Sequence, residues 1–263
     1  MPRHSAGQAL GELVQVECRA IVHALRAPLA LHTRVHEARK AIRRARALLA
    51  LAKDGDAAFD IAPADAILQR IGDGLSRLRD AHAAMETART LATQQGRKHW
   101  RPVIEALRER ANALAARELV RDPGFERRQS IVQGAQHYLE LQPWGKLKSA
   151  QIRAGLQRQR RRVERAARRA KKTPDPDHLH CWRRRARRLR MQVEALPRLK
   201  PQWSQATPAT PRSKSLHKLT DALGWQQDLH VLSALLRRLS GIAERKALQA
   251  RLRALLEKAS AAP

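Results

Sequence analysis

With 263 residues and 43% hydrophobic content, the chain can form one large domain or two modules of a little over about 100 residues each, and it can build a core without metals or disulfides. Lysine and arginine total 53 against 24 acidic residues, a formal net charge of +29. That excess narrows the partners to polyanions: nucleic acid, acidic membrane or inorganic polyphosphate, attracted through a field screened over about 8 Å at physiological ionic strength. The two cysteines, Cys18 and Cys181, have no spacing that suggests a bond or a metal site. No apolar run is long enough to span a membrane, and Met1-Pro2-Arg3-His4-Ser5 leads into an amphipathic helix, so a cytoplasmic protein with reduced thiols is expected.

Alanine, leucine, arginine and glutamine dominate and aromatic residues are only 3%, which predicts an all-α fold. In chain order, helices are predicted over 6–27, 33–53, 63–93, 98–119, 124–141, 146–172, 177–196, 212–239 and 241–260. Turn signals separate them at Asp54-Gly55-Asp56, Gln95-Gly96, Asp122-Pro123-Gly124, Gln142-Pro143-Trp144-Gly145 and Thr173-Pro174-Asp175-Pro176. The stretch 197–211, with four prolines, is the longest predicted loop.

The second helix holds a string that returns 144 positions later. Val35-His36-Glu37-Ala38-Arg39-Lys40-Ala41-Ile42-Arg43-Arg44-Ala45-Arg46 aligns with Leu179-His180-Cys181-Trp182-Arg183-Arg184-Arg185-Ala186-Arg187-Arg188-Leu189-Arg190. On a helical wheel His36, Arg39, Lys40 and Arg43 share one sector, with Ile42, Ala45 and Leu49 opposite. His180, Arg183, Arg184 and Arg187 do the same against Trp182, Ala186, Leu189 and Val193. Stacked like charges at i+3 and i+4 destabilise a helix by a few tenths of a kcal/mol per pair, roughly. Two such faces point to an anionic ligand.

A second repeated segment follows each basic helix. The segment from Ile71 to His82 aligns with that from Leu219 to His230 at an offset of 148, pairing Asp80 with Asp228 and His82 with His230. Two copies of a helical unit result, over approximately 6–125 and 146–260 of a single domain. A pseudo-twofold arrangement would bring the two basic helices to a common groove or channel.

These strings resemble the CHAD family, the conserved histidine α-helical domain. Its pattern is a helix with His-x-x-Arg followed by a basic cluster, then a helix with Leu-Gly-x-x-(Arg/Asn)-Asp-x-x-Val, each present twice. Leu223-Gly224-Trp225-Gln226-Gln227-Asp228-Leu229-His230-Val231 fits the second helix with Gln227 in the place of the usual basic or amide residue next to the aspartate. Leu75-Ser76-Arg77-Leu78-Arg79-Asp80 fits with Ser76 for glycine, and Ala84 stands where a larger apolar residue is common. The resemblance covers nearly the whole chain. It implies two four-helix bundles related by pseudo-twofold symmetry, a basic cavity between them, and binding of inorganic polyphosphate. CHAD domains are often fused to a triphosphate-processing domain; these 263 residues leave no room for one, so a stand-alone, non-catalytic module without cofactors is expected, associated with polyphosphate granules.

Polyphosphate has no bases to read, so its receptor needs spaced cationic donors. Arginine offers bidentate hydrogen bonds to phosphate and lysine a point charge. The expected binding residues are His36, Arg39, Lys40, Arg43, Arg44, Arg46 and Arg79 of the first half. From the second come His180, Arg183, Arg184, Arg187, Arg188, Arg190, Lys218, Arg153 and Arg160. His36 and His180 have two readings, phosphate donor or packing group, and His82 and His230 read as packing or exposed-face residues. Asp80 and Asp228 read as carboxylates that orient arginines. His178 and His180 stand beside Arg183, Arg184 and Arg185, which oppose a cation, so no metal site is expected. The basic helix 146–172 is either a specific contributor or a solvated face. The five tryptophans are scattered and read as packing residues rather than a base-stacking platform. A sequence-nonspecific nucleic-acid binder is the alternative function, and a phosphohydrolase is disfavoured because acids that could hold Mg²⁺ are not clustered near the basic helices.

Overall fold

The computed structural model describes residues 5–53, 59–173, 175–205 and 213–260. These hold ten α-helices and no strand: α1 (Ala6–Arg26), α2 (Leu31–Leu49), α3 (Ala62–Gly74), α4 (Ser76–Gln95), α5 (Arg97–Arg121), α6 (Glu126–Glu140), α7 (Ser149–Lys172), α8 (Pro176–Leu199), α9 (Ser213–Arg238) and α10 (Arg245–Ser260). The all-α expectation stands. The N-terminal residues 1–4, the turn at 54–56, Pro174 and the end of the 197–211 stretch lie outside the described residues.

α1 starts where a capping box allows it: Ser5 Oγ accepts from Gln8 N at 3.1 Å and Ser5 N donates to Gln8 Oε1 at 2.9 Å. Its buried stripe, Leu10, Val14, Cys18, Ile21 and Leu25, has helical spacing and packs on α2 and α6. Trp144, in a short 3-10 turn, lies against Gly11, where a Cβ would come within 2.6 Å of the indole.

The helix predicted over 63–93 is two helices. It breaks at Leu75, whose side chain is fully buried, and the Gly72 carbonyl beside the break accepts from the Ser76 hydroxyl and from Arg39. The predicted loop 197–211 starts late, because α8 carries Pro197 in its last turn and a 3-10 segment, Pro201–Gln205, follows. α10 starts at Arg245 rather than 241, and α7 at Ser149 rather than 146, which belongs to the 3-10 turn Trp144–Lys146.

Apolar burial falls into three clusters. The first joins α1, α2, α3 and α6 with Phe125, Trp144 and the end of α8. The third joins α7 and α8 with Leu216 and Leu223 of α9. The second is shared by the two halves of the sequence: Met85 and Leu91 of α4 and Trp100, Val103 and Leu107 of α5 meet Leu229, Leu232 and Leu236 of α9 and Leu248 and Leu252 of α10. Thus α4 and α9 each run from a cluster of their own half into a common one. Trp100, Trp144 and Trp182 are buried, and Trp203 and Trp225 pack against the clusters, as expected of packing residues.

Candidate anion-binding site

The two basic helices touch. α2 packs on α8, and the contact is pinned by the fully buried Gln192 of α8, whose Nε2 donates to the Ala47 carbonyl of α2 at 2.8 Å. Gln159 of α7 donates in the same way to the Arg185 carbonyl at 2.8 Å. Such buried amide bonds to carbonyls fix the register of the helices, because a slip would strand both partners.

Beside this contact lies a pocket of about 260 Å³. Arg39, Arg43 and Arg46 line it from α2 and Arg184, Arg185, Arg187 and Arg188 from α8, with Gln69, Gly72 and Asp73 from α3 and an apolar floor of Ile42 and Met191. One carboxylate therefore faces seven guanidinium groups. Burial together with Arg39, Arg79, Arg183 and Arg44 pushes Arg43 down to about 10. Burial and Arg43, Arg183, Arg79 and Arg39 push Arg187 down to about 9. Arg188 falls to about 10 through burial and Arg46, offset in part by Asp65. A depressed guanidinium value means that the free protein holds these charges against desolvation and mutual repulsion. An oxyanion entering the pocket would relieve both.

Two arginines at matching positions of the repeat occupy matching places with different floors. Arg39 donates to the Gly72 carbonyl and to Ser76 Oγ at 2.7 Å. Arg183 lies over Gly224, where a Cβ would stand 2.8 Å from its Nη2. Glycine at 224 lets the guanidinium rest on the helix backbone; serine at 76 supplies an acceptor instead. The buried Nε–H groups of Arg39, Arg43 and Arg183 meet no acceptor among the described residues.

Asp80 and Asp228 orient arginine. Arg79 of α4 donates to Asp80 at 3.1 Å and reaches across to Asp228 of α9 at 3.8 Å. Burial raises the Asp228 carboxyl, while Arg79 and Arg183 oppose the rise.

His36 is largely exposed and stands 4.0 Å from Glu37; the partial loss of its hydration, and then Arg43, Lys40 and Arg79, lower its pKa from the ordinary imidazole value, which Glu37 opposes. Burial followed by Arg184, Arg183 and Arg187 lowers His180, whose side chain also bonds Gln227. His82 stacks on His32 with ring centroids 4.1 Å apart. Burial lowers His82 and His230 as well.

Of the residues expected from sequence, Arg39, Arg43, Arg46, Arg184, Arg187 and Arg188 meet in the pocket, with Arg79, Arg183, His36, His180 and Lys40 around it. Arg44 turns away and forms a two-oxygen ion pair with the buried Glu17 of α1, both oxygens at 2.8 Å. Arg190 faces Glu194 at 3.7 Å. Arg153 and Arg160 on α7 and Lys218 on α9 do not line the pocket. Arg185, Gln69 and Asp73 line it without having been singled out; Arg185 matches Ala41 in the first copy, so the repeat hid it.

Cys18 is buried, which pushes its thiol up to about 12, and neither cysteine is in a disulfide. Among the described residues no helix is long and apolar enough to cross a membrane, and no His, Cys, Asp and Glu side chains group as metal ligands. His178 instead bonds the Thr173 carbonyl at 3.1 Å and pairs with Asp175.

The two basic helices of an all-α fold thus bring their guanidinium groups to one pocket. The CHAD domain profile matches residues 18–237, and the chain belongs to the CHAD domain family, which is known for polyphosphate binding. No curated protein matched the chain. No solved structure did either.

Proposed function

We propose that the chain is a non-catalytic receptor for inorganic polyphosphate, centred on the α2/α8 pocket. The observation that carries this reading is the confinement of seven arginines around one carboxylate in about 260 Å³. Arg39 and Arg46 also bond α3 and Ser76, but Arg43, Arg184, Arg187 and Arg188 form no ion pair among the described residues, and a strand of phosphates neutralises that excess. In this reading His36, Arg39, Lys40, Arg43, Arg46 and Arg79 hold the strand from one half of the repeat. His180, Arg183, Arg184, Arg187 and Arg188 hold it from the other, with Arg153, Arg160, Arg190 and Lys218 as an outer field.

The pairing of α2 with α8 and of α4 with α9 supports two bundles related by a pseudo-twofold axis, with the groove between them at the pocket. The pocket offers donors to an oxyanion, consistent with capture rather than turnover. Residence at polyphosphate granules follows from such an affinity.

The test is competition between long-chain polyphosphate, duplex DNA and single-stranded RNA at near-physiological salt. Polyphosphate preferred by about tenfold or more, corresponding to 1.4 kcal/mol, and retained as salt rises, is the expected result. Equal affinities that collapse together with salt would mean counterion release on a generic basic surface and would favour the nucleic-acid reading. Arg39→Glu with Arg183→Glu should weaken polyphosphate binding far more than Arg253→Glu with Lys258→Glu on the exposed face of α10.

A further inference from the structure

The α4–α5 hairpin carries a second concentration of cations, which the sequence repeat does not single out. A cavity of about 730 Å³ is walled by Arg89, Arg97, Lys98, Arg101 and Arg108, with Glu105 as its one acid. Glu105 pairs with Arg101 at 2.9 Å, and the nearby Glu86 pairs with Arg89 at 2.5 Å and approaches His82 at 3.8 Å. Arg97, Lys98 and Arg108 form no ion pair among the described residues, so the patch keeps a positive excess.

This cavity is not isolated from the α2/α8 pocket. Arg89 and Arg108 are also walls of a neighbouring cavity of about 300 Å³, which contains the stacked His32 and His82. His32, His36, Arg39 and Arg43 follow one another at i+3 or i+4 along α2, and Arg79 and His82 do so along α4. The two helices pack on each other, so the histidine stack leads back to the arginines of the pocket. Cationic or protonatable groups therefore follow one another from the pocket to the hairpin. Along α4, the ten residues from Arg79 to Arg89 span about 15 Å. A compact anion could occupy one end only, whereas a linear polyanion could follow the whole path.

We infer that the α4–α5 hairpin is a second subsite, which holds the part of a polyphosphate strand that leaves the α2/α8 pocket and so makes affinity depend on chain length. The inference rests on the polyphosphate reading. Each cation on the path that replaces counterions around the strand adds to both affinity and salt dependence. Short oligophosphates satisfied by the pocket gain nothing from the hairpin.

The experiment compares tripolyphosphate with long-chain polyphosphate on the wild-type chain and on Arg97→Glu/Lys98→Glu/Arg108→Glu, three exposed positions. A charge-matched control is Arg19→Glu/Arg127→Glu/Lys146→Glu, also exposed. Circular dichroism melts establish that all three proteins are folded. The hairpin variant should lose about tenfold or more in long-chain affinity with tripolyphosphate affinity held within about twofold, while the control loses much less for either ligand. Equal losses for the two ligands, equal losses in the control, or no loss at all would overturn the subsite. The underlying reading fails separately, if the wild-type chain does not prefer polyphosphate to nucleic acid or if Arg43→Glu/Arg187→Glu leaves tripolyphosphate binding intact.

Discussion

α2 and α8 carry the same basic string in different electrostatic company. On α2 most of the charge is taken up: Lys40 pairs with Glu37 at 3.3 Å, Arg44 with Glu17 at 2.8 Å, Arg46 with Asp65 at 2.7 Å, and Arg39 hydrogen-bonds Gly72 and Ser76. Arg43 is the exception. On α8, Arg183, Arg184, Arg187 and Arg188 form no ion pair within 4 Å among the described residues, although Asp228 lies in the field of Arg183 and Asp65 in that of Arg188; Arg190 approaches Glu194 at 3.7 Å. A repeated sequence has thus been divided between two tasks. α2 uses much of its charge to hold α1 and α3 in place, whereas the α8 arginines at the pocket are left without ion pairs among the described residues, as the proposed polyphosphate receptor requires.

The largest expected effect tests that division directly. Arg183→Glu/Arg187→Glu on α8 should reduce polyphosphate affinity by about a hundredfold or more, since hydrogen bonds to charged groups contribute about 1.5–3 kcal/mol each. Arg34→Glu/Arg44→Glu on α2, the same change in charge at residues that do not line the pocket and that bond Leu25, Gly124 and Glu17 instead, should cost far less affinity in the folded protein. Titration calorimetry on both pairs checks it, and equal losses would erase the distinction between the helices.

Next in size is the stability counterpart. Arg44→Ala leaves the buried Glu17 carboxylate without its partner, and breaking a buried ion pair from one side costs about 3–5 kcal/mol. Because Arg44 is one-third exposed, the lower end of that range is expected in urea unfolding. Arg187→Met should do the reverse, stabilising the free protein by about 0.5–2 kcal/mol as one crowded charge leaves the pocket, while weakening polyphosphate binding. A stabilised variant that still bound normally would mean that Arg187 does not meet the ligand.

The division of labour also marks where the sequence was legible. The periodicity of α2 and α8 placed His36, Arg39, Lys40 and Arg43 on one face of the first helix and His180, Arg183, Arg184 and Arg187 on the equivalent face of the second, and the repeat paired them, because those relations are local to a helix. What lies across from a face is a tertiary fact. Glu17 is 27 residues from Arg44 and Asp65 is 19 from Arg46, so neither partner is written into the string that carries the arginines. The break at Leu75 was hidden because Gly72, Gly74 and Ser76 are tolerated within a helical pattern, and only burial of Leu75 and the use of the Gly72 carbonyl by Arg39 reveal why the chain turns there. The shared cluster of α4, α5, α9 and α10 was equally invisible, since an apolar stripe does not name its partner.

A smaller effect separates the two floors. Gly224→Ser imports the α4 arrangement into α9, and its Cβ, 2.8 Å from Arg183 Nη2, must push the guanidinium aside. Because the displaced group is the end of a flexible side chain, the melting temperature should change little while polyphosphate affinity falls several-fold, by about 1 kcal/mol. Ser76→Gly removes one acceptor from Arg39, which keeps the Gly72 carbonyl, and should alter affinity by less than Gly224→Ser. Equal effects from the two swaps would mean that Arg39 and Arg183 are equivalent despite their floors.

The smallest expected effect concerns the histidines that head the two strings. His36 and His180 both have pKa values lowered by partial desolvation and by nearby arginines, so the free protein favours their neutral forms. A bound polyanion favours their protonated forms and raises those values, so binding takes up protons and affinity increases as pH falls from the raised, ligand-bound values toward the lowered, free ones. The stability of the free protein moves the other way. The folded chain binds fewer protons at these sites than the unfolded chain, whose imidazoles titrate near about 6.5, so their contribution to stability is complete above that value and is lost as pH falls through it and toward the lowered folded values. Opposite slopes of affinity and apo stability over the same range, both flattened in His36→Gln/His180→Gln, distinguish ligand donors from packing groups. A packing histidine would give the stability slope alone. Unequal flattening by the two single substitutions would extend the contrast between α2 and α8 to their histidines, with His180, among Arg183, Arg184 and Arg187, expected to contribute the larger share.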